Sequence, residues 1–281
     1  MADDFSLQRS ARLATAYADY RSVLDASDVK KRRFMPYRWW TLPDPVSGLW
    51  LIYSSMLEDY ATDLANTIND LTHYVSRLRA WAQVVAPMND DAKMEVAHEF
   101  IGVLGIAALS APYAIKSRFA VAAAHLSHQA NMAKDIKNWK DEFPDKNLYL
   151  NDVEPFGRTW RNYRRFKLKV EPIAGSGFKK QTHDFRNAYN HRFSPRLLLG
   201  LSNTVTRRVD KETGGVCYGI GGTPPLDLNK VADVLETECS HCYAAFVAFE
   251  ALVKEQIETI TEFEAARGRA PSAVETGAIP A

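Results

Sequence analysis

Apolar side chains recur at steps of three and four residues through one long stretch of the chain. Leu57, Tyr60, Leu64, Ile68, Leu71, Val75, Leu78, Ala82 and Val85 follow one another in this way. A strand would need strict alternation, whereas steps of three and four keep one face of a helix apolar. Pro87 then forbids continuation. The pattern predicts a single helix of about 35 residues. Such a helix has one dry face and must bury it against partners. A second stripe supplies one: Leu228, Val231, Leu235, Cys239, Cys242, Phe246, Phe249, Val253, Ile257 and Ile260. Two stripes of this length predict an all-α bundle of long helices.

The remaining segments fit around that bundle. Ser6 to Ala26 reads as a first helix of modest amphipathicity. Arg32 to Ser47 reads as a connector, because Pro36, Pro43 and Pro45 interrupt it, and Trp39 and Trp40 are expected to pin it to the body. Residues 1–46 are therefore read as an N-terminal helix and connector, 47–267 as the main helical domain and 268–281 as a disordered tail. Asn89 is placed to cap the next helix, with Asp90, Asp91 and Glu95 at its positive end. Gly102, Gly105, Ala107 and Ala108 would let a partner helix approach, and Pro112 is expected to break or kink the helix. A further Ala-rich helix is expected from Tyr113 to about Trp139. Lys140 to Gly177 reads as loop with short helices, Arg158 to Lys169 among them. Thr182 or Asp184 is expected to cap a short helix that ends near His191, and Ser194-Pro195 to start another through Leu201. Thr204–Val209 and Gly215–Ile220 flank Lys211-Glu-Thr-Gly214 and predict a small β-hairpin inserted before the last helix.

The overall charge says little, with 35 Lys and Arg against 34 Asp and Glu. Its distribution says more. Between Arg158 and Arg208 thirteen Lys and Arg face only Glu171 and Asp184, a net +11, and the rest of the chain is near −10. A near-neutral chain that gathers its cations in one segment suggests a polyanionic partner. Arg158, Arg161, Arg164, Arg165, Lys179, Lys180, Tyr189 and Arg192 are the candidate RNA contacts. Phe156, Trp160, Tyr163, Phe166, Phe178, Phe185, Tyr189 and Phe193 interleave with the cations, either as stacking platforms for unpaired bases or as the core beneath a basic face. The acidic start Met-Ala-Asp-Asp-Phe-Ser has no apolar run behind it, so no signal peptide is expected. The apolar run Ile101–Ala114 is short for a bilayer. With three cysteines, an odd count, a reducing compartment is expected, the cytoplasm by default, and no membrane partner.

The cationic segment contains Phe185-Arg186-Asn187-Ala188-Tyr189-Asn190-His191-Arg192-Phe193. Arg186 offers a planar fork of donors for a phosphate. His191 can take and return a proton near neutral pH. Asn187 lies one helical turn from His191 and could orient its imidazole. Arg186 and His191 are five residues apart, roughly 140° round a helix, so they would flank a cleft completed by a second copy of the chain. The pattern Arg186-Asn187-x3-His191, followed by Arg192, resembles the motif of the HEPN family. The resemblance is carried closely by about a dozen residues, and beyond them by the helical character of the chain. It implies a HEPN-like helical fold and a metal-independent endoribonuclease without cofactor. His191 would be the general acid or base, Arg186 would stabilise the scissile phosphate, and Asn187 would position His191 or the substrate. It also implies RNA as substrate, a homodimer, an antitoxin or regulatory protein as partner, and service in toxin–antitoxin or anti-phage systems. One HEPN subgroup has Tyr two residues after the motif His; here that position is Phe193. A non-catalytic HEPN-like module that binds RNA, a nucleotide or a protein is the alternative.

Other chemistries fit the sequence less well. Glu95 with His98, and Glu238 with His241, are Glu-x-x-His pairs that suggest a ferritin-like di-metal carboxylate protein, with Glu58 as a further ligand. That scheme lacks a carboxylate, because no Glu occurs between Pro112 and Lys140. His125 and His128 have no acidic neighbour in sequence that would make them ligands. Cys239, His241 and Cys242 with Cys217 could suggest zinc, but Cys239 and Cys242 fall on the apolar stripe and read as core. No metal is expected. Phosphate-loop glycine patterns and Gly-x-Ser-x-Gly do not occur.

Overall fold

A computed structural model describes residues 2–27, 33–43, 47–146 and 148–269. Helix α1 (Ala2–Ala26) leads through the connector and a short 3-10 turn into α2 (Leu51–Val85). A second antiparallel excursion runs through α3 (Asp90–Val96), a π-turn (Ala97–Ile101) and α4 (Gly102–Lys134). Short helices follow: α5 (Glu154–Gly157), α6 (Tyr163–Val170), α7 (Ser176–Gln181) and α8 (Phe185–His191). The hairpin β1 (Val205–Val209) and β2 (Val216–Ile220) precedes the closing helix α9 (Leu228–Arg269). The architecture is the expected all-α bundle with one small antiparallel sheet. The proposed tail falls largely on residues 270–281, outside the described residues; Gly268 and Arg269 belong to α9.

Helices α2, α4 and α9 pack on one another and form the centre of the molecule. Of the first stripe, Leu57, Leu64, Ile68, Leu71, Val75, Leu78, Ala82 and Val85 are buried, and Tyr60 is half-buried. From the second, Leu228 to Ile260 face the same core, with Cys239 and Cys242 among them. Burial pushes the Cys242 thiol well up. Polar groups also meet at the centre. Tyr53 Oη donates to Gln256 Oε1 at 2.9 Å, and Gln256 Nε2 donates to Ser127 Oγ at 3.0 Å. One buried chain of hydrogen bonds therefore joins all three central helices. Desolvation raises the Tyr53 phenol far above its usual range.

Helix α1 lies on α2 and shares this core through Leu13, Ala16 and Tyr20. The Tyr20 ring stacks on Trp81 at 4.4 Å, and Trp81 on Phe100 at 5.1 Å. Arg12 grips both oxygens of Glu95. The connector is held by Asn69, whose side chain accepts from Met35 N at 2.7 Å and donates to Met35 O at 3.2 Å. Trp39 completes the attachment with edge contacts to Phe246 and Phe249.

Four local expectations fail for tertiary reasons. Pro112 does not break the helix: α4 runs through it to Lys134. The irregularity instead lies upstream in the π-turn at Ala97–Ile101. Pro112 itself is buried among core residues, which offsets the hydrogen bond it cannot make. Gly105 does not face a partner helix; a Cβ there would meet the Leu197 side chain. Ser194–Leu201 is not a helix. Leu198 N donates to Leu226 O at 3.0 Å, Leu226 N to Arg196 O at 2.8 Å, and Ser202 exchanges bonds with Thr223. Those pairings, with Leu198 at φ 68° and Asn203 at φ 53°, outweigh a local helix signal. The expected side-chain caps of α8 are also absent: Thr182 Oγ1 bonds back to Phe178 O, and Asp184 starts the helix in a left-handed conformation.

The hairpin projects from the bundle. Its pairing puts Val205 opposite Ile220, Arg207 opposite Tyr218 and Val209 opposite Val216. All six therefore share one face, and all are exposed. Helix α3–α4 is long and apolar enough, by length and composition, to cross a membrane; here α4 packs between α2 and α9.

The central polar link yields a stability prediction. Gln256→Ala leaves the Tyr53 and Ser127 hydroxyls buried and unpartnered, and should cost about 2–4 kcal/mol. Urea unfolding of the variant measures this directly. A loss below about 1 kcal/mol would show that the link does not hold the helices together.

Candidate functional site

The short helix α8 carries the motif, and a clamped turn positions it. Lys116 on α4 donates to the carbonyls of Glu171 at 2.6 Å and Ile173 at 2.9 Å. From α9, buried Glu238 accepts from Ala174 N at 2.7 Å. Ala174 holds φ 50°, an uncommon conformation for a residue with a side chain, which these bonds stabilise. Phe178 then packs beneath Tyr113. Two consecutive left-handed residues, His183 and Asp184, turn the chain from α7 into α8. Phe185 is the buried foot of α8, and its ring stacks on Tyr189.

This route delivers Arg186 over the Tyr113 ring, with its guanidinium carbon 5.0 Å from the ring centroid. Such a contact suits a cation that stays partly in water. Burial, with Asp184 adding to it, raises the Tyr113 phenol. Arg186 borders two adjoining cavities along α4, of about 910 and 970 Å³, which share Ser117, Leu148, Tyr149 and Arg186 in their walls. Together they form one groove. The first cavity is cationic, with Lys116, Arg118, Lys179 and Arg186 against Glu171. Arg118 is paired with Asp63, and Lys116 has two of its three protons engaged on carbonyls. Burial lowers the Lys116 ammonium pKa. The second cavity is aromatic, with His125, Phe143 and Tyr149 beside Asp145 and Lys146. Lys146 is paired with Asp152 at 2.9 Å.

The motif is only partly gathered. Arg186 and Asn190 line the cationic cavity; Asn187 and His191 lie on α8 outside its lining. Asn187 and His191 are both exposed, and among the described residues neither side chain makes a hydrogen bond. Asn187 therefore does not orient the imidazole within one protomer.

Arg158, Arg161, Arg164, Arg165, Lys179, Lys180 and Arg192 are all exposed. Lys167 is tied to Glu154 at 2.8 Å. The aromatics between them belong mostly to the core. Trp160, Tyr163, Phe166, Phe178 and Phe185 are buried and Phe156 is half-buried, while Tyr189 and Phe193 are exposed. Glu255 explains part of this: it accepts from Arg161 N and Asn162 N at 2.8 Å each and anchors the start of α6 on α9.

The sequence reading missed His125. It sits on the groove-facing row Tyr113, Ser117, Val121, His125, at steps of four along α4. Its ring stacks on Phe143 at 4.1 Å. Burial, and secondarily the charge of His128, lower its pKa. His128 does have an acidic partner, Asp141 at 2.9 Å, brought close by the turn after α4 rather than by sequence spacing. The carboxylates of the di-metal scheme are engaged elsewhere: Glu95 by Arg12, Glu58 by Arg38, and Glu238 by the Ala174 amide. No group of three or more metal-binding side chains is found among the described residues. No protein-family model, curated protein or solved structure matches the chain.

His125 gives a pH prediction. Its folded pKa is depressed, so the stability from its neutral form is present above the unfolded value of about 6.5 and lost as pH falls. The melting temperature of the native protein relative to His125→Phe should therefore drop between about pH 7.5 and 5.5. A difference that stays constant with pH would show that the imidazole is not desolvated.

Proposed function

We propose that the protein is a metal-independent endoribonuclease of HEPN type that binds single-stranded RNA in the α4–α8 groove. The observation that carries this reading is Arg186: exposed, seated on Tyr113, and flanked by Lys116 and Lys179 in a cationic cavity. A phosphodiester held there meets a fork of donors in a partly desolvated setting, where charge stabilisation is strongest. His191, one helix-length away on the same short element, is exposed and free to act on a strand that passes over α8.

The chemistry needs little else. An imidazole takes the proton from a ribose 2′-hydroxyl, the 2′-oxygen bonds to phosphorus, and the bond to the 5′-oxygen breaks. The departing oxygen receives a proton, and Arg186 offsets the charge on the phosphoryl oxygens. The products are a 2′,3′-cyclic phosphate and a 5′-hydroxyl. Because Asn187 and His191 lie outside the cavity that holds Arg186, a second protomer that sets its own α8 across the groove is part of the proposal. Roles in toxin–antitoxin or anti-phage systems, with a regulatory protein covering the groove, belong to the same reading.

The same placement of His191 favours a second reading, a non-catalytic module that binds RNA through the groove. One experiment separates the two. Cleavage of single-stranded RNA in EDTA should fall at least ~10²-fold in His191→Ala, and comparably in Arg186→Ala. RNA binding should survive the His191 change and weaken steeply with salt. A 2′-deoxy sugar at the cut site should block cleavage. Full activity in His191→Ala, or cutting of the deoxy substrate, would refute the nuclease mechanism. Salt-sensitive RNA binding without cleavage would establish the binding module.

A further inference from the structure

The two ends of the groove differ in chemistry, and the difference points to a ligand. At the Tyr113 end stand Lys116, Lys179 and Arg186 against Glu171. Twelve residues further along α4, about 18 Å at 1.5 Å per residue, stands His125. There the walls are Phe143, the His125 ring stacked on it, and Tyr149. The charges at that end nearly cancel. Arg186 lines this end too and is offset by Asp145, Lys146 is paired with Asp152, and desolvation lowers the His125 pKa, which favours its uncharged ring. Among the described residues, this end adds no free cation for a phosphate beyond Arg186 itself. A flat, uncharged ring suits it, because aromatic faces stack on bases irrespective of sequence.

We infer that the His125–Phe143–Tyr149 end of the groove seats one unpaired nucleobase of the RNA, in the cavity that Arg186 also lines, beside the phosphate held there. The inference rests on the RNA reading above and adds a base seat that the motif does not provide. Tyr149 is the mouth of the seat. The residue is 72% exposed and lines both cavities, so it can close over a base without disturbing the core. Ser117 and Val121 form the floor between the two ends, a small and a medium side chain that leave room for sugar and backbone to pass. A base in the seat also fixes the register of the strand, and so determines which phosphate reaches Arg186.

The experiment uses the full chain and a fluorescent single-stranded RNA hexamer, with an abasic nucleotide walked through each position. Binding by fluorescence anisotropy should show one position where the abasic change weakens affinity about tenfold, the scale of one stacked base. Tyr149→Ala should weaken the intact hexamer by a similar factor, and the abasic change at that position should then have no further effect. Tyr149 is exposed, so its truncation removes no core side chain, and an unchanged melting curve checks the fold. If Tyr149→Ala and every abasic position leave affinity unchanged while Arg186→Ala abolishes it, the seat is refuted and the RNA reading stands. If the native chain binds none of the hexamers, both fall.

Discussion

Everything in this fold hangs on the mutual burial of α2, α4 and α9, and on the polar link that sets their relative positions. Apolar stripes alone permit long helices to slide by a turn, because one leucine packs much like another. The Tyr53–Gln256–Ser127 chain removes that freedom. Shifting one helix past another would leave buried hydroxyl and amide groups unpaired, at about 1–3 kcal/mol for each. Specific register follows, and with it the fixed spacing between Lys116 on α4 and Glu238 on α9.

That spacing builds the groove. Lys116 and Glu238 hold the 171–174 turn from opposite sides, one by donating to carbonyls and the other by accepting from an amide. Burial raises the Glu238 pKa, and the Ala174 amide and His241 work against that shift. The turn launches α7 and α8, and α8 presents Arg186 to Tyr113. A short helix of seven residues has little stability of its own. Its orientation is therefore a property of the clamp, and the functional reading depends on bonds remote from the motif.

Much of this was legible in the sequence. The two stripes announced α2 and α9 because burial on one face demands a helical period, and Pro87 marked an end that no packing could override. Asn89 capped α3 as its position suggested, accepting from Ala92 N at 3.0 Å. The hairpin declared itself through a glycine turn between β-branched runs. What stayed hidden depends on contacts distant in sequence. Pro112 passes through a helix because its surroundings are buried, and Ser194–Leu201 is non-helical because Leu226 bonds to Arg196 and Leu198 within it. Gln256 stands on the same apolar face, three residues after Val253 and four before Ile260, and only its polar side chain kept it out of the stripe. His125 looked idle because its partners, Phe143 and the groove, come from another segment. Arg186 and His191 were expected to flank one cleft, with Asn187 beside His191, and the fold places only Arg186 of the three in the cavity wall.

The central claim is that RNA lies in the groove between α4 and α8 and is held there by Arg186. Photocross-linking of a thiouridine-substituted single-stranded RNA, read by peptide mass spectrometry, tests it most directly. The account predicts adducts concentrated on residues 143–149 and on Tyr189, and their loss in Arg186→Ala. Adducts confined to α1 or to the hairpin, or a pattern indifferent to Arg186→Ala, would contradict it.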